Sequence, residues 1–333
     1  MPGFKQIHPG FDVARSLNLL KVPAMALIRE MQPIDIAARY RHIRPAPRMP
    51  NFAAWIEDLD LTVPFTPEVE FELRQALDDF EVIFFRPQTI TPQQHVALAR
   101  VFGPVSQGSF FDRMPGVPEL EMIVSDRKRP PSIDSWHTDI SWREKPPLGT
   151  AIQITEIPPY GGNTCWVSTS KAYEWLSPAM QTYLETLSAV HTWEKSAFRE
   201  ALGLAGEEAL VNAIRAYKPV VHPVVRLHPG SGRKCLFVNN DFTRNILGID
   251  REEAAGMLHF LLQWLKKPEF MIHHAWEAGG IAIWDNRSTQ HYALADYWPH
   301  RRVNQRVTFS EPEAHTEGDS VTQTVMQGRS ITG

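Results

Sequence analysis

From Pro104 onward the chain breaks into short runs rich in β-branched and aromatic residues: EMIVSD, TAIQITEI, NTCWVS, VVHPVVRLH, KCLFVN, GIAIWDN and RVNQRVTFS. Gly, Pro and Asn separate these runs, and no regular alternation of strand and helix connects them. Many short strands without that alternation exclude a doubly wound parallel sheet. They predict a mostly β protein with α, a double-sheet β-barrel or jelly roll with helices packed outside. DSWHTDISW, residues 134–142, reads as one more strand of the set. Two helices interrupt the strands, over Tyr173 to about Leu187 and Arg251 to about Lys266, the second stopped by Lys266-Lys267-Pro268.

Upstream, Thr66-Pro67 and Thr91-Pro92 each place a capping hydroxyl before a proline at the first helical position, and Glu81 to Arg86 between them is a buried strand. Residues 1–35 carry no sustained period and form an N-terminal extension; residues 36–311 make one domain; residues 312–333 are a flexible polar tail. A composition 43% hydrophobic and 22% charged is that of a folded chain with a sizeable core. A net charge of -4 offers no field for nucleic acid or an anionic membrane surface. Cys165 and Cys235 have no CxxC spacing, which excludes a cysteine zinc site and fits a reducing, cytoplasmic setting. The apolar patch Val22 to Ile28 contains Pro23 and ends at Arg29-Glu30, so neither a secretory signal nor a membrane span is expected.

Two His-x-acid triplets are present, His137-Thr138-Asp139 and His315-Thr316-Glu317. With 13 histidines and 38 acidic residues in 333, chance supplies roughly 1.5 of them. The second lies in the polar tail, where nothing would hold two ligands in place. The first is flanked by Trp136 and Trp142. On a strand, residues i and i+2 share a face about 6.6 Å apart, within reach of one metal ion. A half-buried strand whose His and Asp pair with each other fits these residues equally well. What favours a ligand role is His291, after a buried strand and a polar turn. Two imidazoles and one carboxylate form a facial triad suited to non-haem Fe(II), with three positions left for a cosubstrate and dioxygen. Two histidines and an aspartate also serve zinc hydrolases, but those need a nearby general base. A catalytically silent metal- or cosubstrate-binding sensor is the other alternative.

In the last strand, alternation puts Arg302, Asn304, Arg306 and Thr308 on one face, the two guanidiniums about 13 Å apart at Cα. An exposed edge strand would leave both in water. Turned inward and unpaired, each would cost several kcal/mol unless an anion met it, and arginine's planar fork suits carboxylate or sulfonate.

WHTDISW, GGNTCWVS and WDNRSTQHYALADYWPHRRVNQRVTF together resemble the taurine dioxygenase-like (TauD/TfdA) family of Fe(II)/2-oxoglutarate-dependent dioxygenases, over about residues 36 to 311. The resemblance implies a double-stranded β-helix, cupin-like core. It implies His137, Asp139 and His291 as iron ligands, Thr164 at or close to the C1 end of 2-oxoglutarate, and Arg302 on its distal carboxylate. Dioxygen is then the oxidant and 2-oxoglutarate the cosubstrate, with succinate and CO2 released. Arg306 matches an arginine that reaches the substrate's anionic group, and Phe242 and Phe198 match aromatic pocket walls. The chain departs from taurine enzymes at Gly108 and Phe111, where a histidine and a tyrosine are usual, and at Ser132 to Asp134, where an asparagine is expected. The implied pocket is larger and more apolar. The expected substrate is a small anion with an apolar body, a sulfonate, an alkyl or aryl sulfate or a phenoxyalkanoate, and the expected assembly is a homo-oligomer, dimer or tetramer. Outside these motifs, His273-His274 reads as a solvated pair and His222 as support for a packed strand.

Overall fold

The computed structural model describes residues 32–106, 111–131, 135–194, 196, 199 and 206–311. Most of the N-terminal extension and the whole C-terminal tail expected from the sequence lie outside these residues. Sixteen strands are described: β1 (Arg44–Met49), β2 (Phe52–Glu57), β3 (Val82–Phe85), β4 (Asp112–Met114), β5 (Val117–Ser125), β6 (Gly149–Glu156), β7 (Thr164–Ser168), β8 (Ser188–His191), β9 (Val220–Pro223), β10 (Val225–Leu227), β11 (Lys234–Leu236), β12 (Thr243–Leu247), β13 (Met271–His274), β14 (Ile281–Asp285), β15 (Thr289–Ala293) and β16 (Arg302–Phe309). The helices are α1 (Ile36–Arg39), α2 (Pro67–Phe80), α3 (Pro92–Arg100), α4 (Thr169–Glu174), α5 (Pro178–Leu184), α6 (Glu207–Ala216) and α7 (Arg251–Trp264).

An eight-stranded sheet runs β1-β2-β3-β14-β6-β16-β5-β4 and faces a three-stranded sheet, β13-β7-β15. This is the expected double-sheet core with helices outside. Side-chain alternation divides each central strand between two packing layers. Ile83 and Phe85 of β3, Ile283 of β14 and Val307 and Phe309 of β16 pack outward with Leu73, Leu77 and Phe80 of α2 and Val96 of α3. Phe84, Ala282, Trp284, Ile152 and Ile154 point the other way, onto Trp166, Ile272 and Trp276 of the smaller sheet and its flank. The inner layer houses the site.

The two Thr-Pro starts are confirmed. Thr66 Oγ1 accepts from the Val69 N–H, and Thr91 forms a full capping box with Gln94. Three expectations need correction. The single helix expected over Tyr173 to about Leu187 is two, because Ser177 caps a new start with Pro178 at its first position, and a proline cannot continue the preceding turn. DSWHTDISW is not a strand: His137 makes one isolated bridge to His291, and the chain then turns, with Ile140 at φ 53°. His274 is buried, not solvated. It lies on β13 opposite Thr164 and its ring stacks on Phe84 at 4.3 Å, while His273 faces outward on the alternate side.

Candidate metal and cosubstrate site

His291 sits in the middle of β15, and His137 is docked on it by a mutual backbone pair: the His137 N–H donates to the His291 carbonyl at 3.1 Å, and the His291 N–H to the His137 carbonyl at 2.9 Å. The turn after His137 brings Asp139 back toward both rings. A β-branched residue at positive φ costs about 1–3 kcal/mol, so something must hold Ile140 there. His222 Nε2 lies 3.0 Å from each of the Ser141 and Arg143 carbonyls, Asn239 Nδ2 donates to Ser141 Oγ at 2.8 Å, and Trp142 is buried edge-on to Tyr217. His222 thus supports the turn from β9, as a packed histidine should. Thr138, between the two candidate ligands, donates its hydroxyl to the Thr289 carbonyl at 2.8 Å.

The result is a cluster in which one ligand atom each of His137, Asp139 and His291 lies within 4.8 Å of the others, all three residues buried. Asp139 Oδ1 stands 3.5 Å from His137 Nε2 and 3.8 Å from His291 Nε2. Its other oxygen, Oδ2, accepts from Thr150 Oγ1 at 3.1 Å, which leaves Oδ1 as the free donor atom. His137 Nδ1 lies 2.8 Å from the Ser135 carbonyl, which fixes the hydrogen on Nδ1 and turns the Nε2 lone pair inward. Burial, then the neighbouring His137, pushes His291 down to about 3, so its ring is neutral. Burial opposes charge on His137 as well, but Asp139, Asp241 and the Ser135 carbonyl outweigh it and raise its pKa. Burial also opposes charge on Asp139, yet His291, Arg306 and His137 hold its carboxyl below the usual carboxylate range. A carboxylate and two imidazoles converging on one point, with a proton-binding His137 among them, suit a divalent cation that would take that proton's place.

Arg302 and Arg306 both point inward from β16, each under a tenth exposed. Register puts Arg306 beside Ile152 on β6 and Glu121 on β5, inside the sandwich and not on an edge. The two arginines differ. Arg306 Nε donates to Glu121 Oε2 at 3.0 Å, and Glu121 Oε1 accepts from the Phe111 N–H. The expectation that both guanidiniums stand unpaired therefore needs correction for Arg306, whose Nε edge Glu121 occupies. No sequence signal marked Glu121, because its partner lies 185 residues away and meets it only across the β5–β16 ladder. Arg306 Nη1 still lies 3.9 Å from Asp139 Oδ1, beyond hydrogen-bond range, with the guanidinium 5.2 Å over the Phe111 ring.

Among the described residues Arg302 has no carboxylate within salt-bridge distance and its Nε is buried without an acceptor, and burial lowers its pKa. Its contacts are the Tyr297 ring at 5.7 Å and the Asn304 amide, whose oxygen, turned toward it, accepts from Nη1 at 2.8 Å. Gly161 and Gly162, at φ 70° and 69°, carry the chain past it into β7, and the Gly162 N–H donates to Asp296 Oδ1. A Cβ on Gly162 would come 3.2 Å from Arg302 Cδ. Thr164 follows, buried, its hydroxyl accepting from Trp276 Nε1. An unpaired buried guanidinium and a buried hydroxyl suit a carboxylate-bearing ligand. Phe242 stands edge-on to His137 at 6.4 Å. Phe198 and Gly108, like Ser132 to Asp134, lie outside the described residues. Trp276, Thr150 and Asp296 join the site by tertiary contact alone.

A family model described as "Taurine catabolism dioxygenase TauD, TfdA family" matches residues 41–308, most of the chain. The chain belongs to this family. It is similar to the alpha-ketoglutarate-dependent sulfate ester dioxygenase of Pseudomonas putida, 32% identical over 72% of this chain and 79% of that relative. It is also similar to the alpha-ketoglutarate-dependent 2,4-dichlorophenoxyacetate dioxygenase of Cupriavidus pinatubonensis, 31% identical over 74% of this chain and 90% of that one. Among solved structures, a taurine dioxygenase from Burkholderia xenovorans matches with a TM-score of 0.69 at 29% identity, covering 84% of this chain and 98% of that one. This TauD/TfdA member is a 2-oxoglutarate-dependent dioxygenase with a cupin-type core, and the family implies iron, 2-oxoglutarate and dioxygen. No helix among the described residues is long and apolar enough to cross a membrane.

Proposed function

We propose that the chain hydroxylates a C–H bond of a small anionic substrate with an apolar body, a sulfonate, a sulfate ester or a phenoxyalkanoate. His137 Nε2, Asp139 Oδ1 and His291 Nε2 would hold Fe(II), and Arg302 and Thr164 would hold the carboxylates of 2-oxoglutarate. Once bound, the metal and cosubstrate supply an oxidant able to break a C–H bond, with succinate and CO2 released. The protein's own part is to orient the ligands through Ser135, Thr150 and the His137–His291 backbone pair, to place the substrate, and to keep water out of a buried centre.

The observation that carries the substrate reading is the position of Arg306. Its Nε edge belongs to Glu121, but its Nη donors have no hydrogen-bond acceptor among the described residues, and Nη1 stands beside Asp139. An anionic head on those donors would bring the adjoining carbon next to the metal ligands, with Phe111 and Phe242 as apolar walls; Phe198 and Gly108 would complete the pocket. The activities in the names of the sulfate ester and dichlorophenoxyacetate relatives support this class. Anaerobically reconstituted protein given a panel of alkyl sulfates, sulfonates and phenoxyalkanoates should form succinate in step with substrate loss for at least one class. Turnover of uncharged analogues alone would contradict the anionic reading. We also propose cytoplasmic action as a homo-oligomer, consistent with the two unpaired cysteines.

A further inference from the structure

Thr164 opens β7 and its side chain is buried. The indole Nε1–H of Trp276 donates to its hydroxyl oxygen at 2.9 Å. An indole nitrogen can only donate, whereas a hydroxyl has one hydrogen to give and two lone pairs to receive with. Trp276 therefore fixes Thr164 as its acceptor, and the hydroxyl hydrogen must point elsewhere. Among the described residues no acceptor receives it. The same turn carries Gly162 against Arg302, whose Nε is also a buried donor without a partner among the described residues.

The indole is itself held firmly. Trp276 is 7% exposed and packs edge-on between the Trp166 ring at 6.1 Å and the His274 ring at 4.6 Å. His274 is stacked on Phe84, and its Nδ1 lies 3.0 Å from Arg48 Nη1, so the imidazole accepts from that guanidinium and cannot rotate freely. Packing on both sides thus sets the direction of the Trp276 N–H, and the N–H sets the direction of the Thr164 O–H.

We propose that Trp276 is a positioning residue for the cosubstrate. By occupying one lone pair of Thr164 it aims the hydroxyl hydrogen at a carboxylate oxygen of 2-oxoglutarate and polarises the O–H into a better donor. This rests on the assignment of Thr164 as a cosubstrate contact, and the test separates the two.

The measurement is calorimetric affinity for 2-oxoglutarate in Zn(II)-loaded protein, for the unchanged chain, Trp276→Phe, Thr164→Val and the double variant. Thr164→Val should weaken binding about tenfold, the loss of one hydrogen bond to a charged group. Trp276→Phe should weaken it about fivefold through the lost polarisation and aim. In the Thr164→Val background, Trp276→Phe should change affinity by less than about twofold, because the path it acts through is gone. Zn(II) affinity should stay the same in all four. An equal loss from Trp276→Phe in both backgrounds, or no loss with Thr164 present, overturns the proposal. An unchanged affinity in Thr164→Val instead removes Thr164 from the cosubstrate site and the proposal with it. Should Trp276→Phe fail to fold, the indole 15N–1H resonance of Trp276 in the zinc-loaded chain must move on adding 2-oxoglutarate and stay still in Thr164→Val; no movement in the unchanged chain overturns the proposal as well.

Discussion

Among the described residues two clusters of histidine and aspartate have the spacing of a metal site, and they differ in which atoms stay free. His137, Asp139 and His291 converge within 4.8 Å, and so do Asp78, His228 and Asp285. In the first, His137 Nδ1 faces the Ser135 carbonyl, so the lone pair on Nε2 faces Asp139. In the second the tautomer is reversed. His228 Nδ1 accepts from the Ser231 N–H, so Nε2 carries the hydrogen and donates to Asp285 Oδ2 at 2.9 Å. Arg287 then clasps Asp285 through Nε and Nη2 and reaches Asp78 at 3.3 Å. Both nitrogens of His228 and both oxygens of Asp285 are thereby occupied. The lesson is that side-chain identity and spacing do not make a metal site; the hydrogen bonds on the far side of each ligand decide which atoms stay free.

The second cluster still bears on the first. Asp285 ends β14, its carbonyl accepts from Thr289 Oγ1 at 2.6 Å, and the Thr289 carbonyl accepts from Thr138, between His137 and Asp139. A structural ion-pair network and the candidate ligand set are thus joined through one short turn.

The comparison breaks most sharply by exchanging losses. Asp139→Ala should abolish stoichiometric divalent-metal binding and cut succinate formation by at least about a thousandfold, while the folded state survives. Asp285→Ala should do the opposite. It should cost about 3–5 kcal/mol, because buried His228 loses its acceptor and Arg287 keeps only Asp78, yet the molecules that remain folded should bind one metal per chain. Thermal unfolding together with metal titration checks both. Next in size, Arg302→Met should weaken 2-oxoglutarate binding by roughly 30- to 1,000-fold with metal affinity unchanged, measured calorimetrically on zinc-loaded protein. Thr150→Val frees Asp139 Oδ2 and should lower metal affinity about tenfold without an equal fall in melting temperature.

The smallest expected effect concerns pH and lies outside both clusters. Burial pushes His95 down to about 4 and His274 down to about 3. Each is neutral in the folded chain where the unfolded chain, with a pKa of about 6.5, takes up a proton. Their contribution to stability is therefore fully present above about pH 6.5 and declines as the pH falls toward about 4. His95→Gln should flatten that part of the stability–pH curve, measured by denaturant unfolding at several pH values.

Much of this arrangement was legible in the sequence because local chemistry marked it. The Thr-Pro caps, the alternation along β16 and the apolar β3 each carry their own periodicity or cap. What escaped depended on partners far away in the chain. The route by which Asp139 reaches His137 was misread as a strand because Trp and Ile favour extended structure, whereas His222, Asn239 and Tyr217 hold a turn there by tertiary contact. The β1 strand was hidden by Pro45 and Pro47, tolerated because it is an edge strand. Glu121, Trp276 and Thr150 have no signature of their own, since each matters only for the atom it meets.

The most direct test of the iron assignment is an anaerobic titration of the chain with Fe(II) in saturating 2-oxoglutarate, followed by visible absorption. The expected result is a charge-transfer band that saturates at one iron per chain, is lost in Asp139→Ala and persists in His228→Gln. A band that survives Asp139→Ala, or one that disappears with His228→Gln in folded protein, would place the metal somewhere other than at His137, Asp139 and His291.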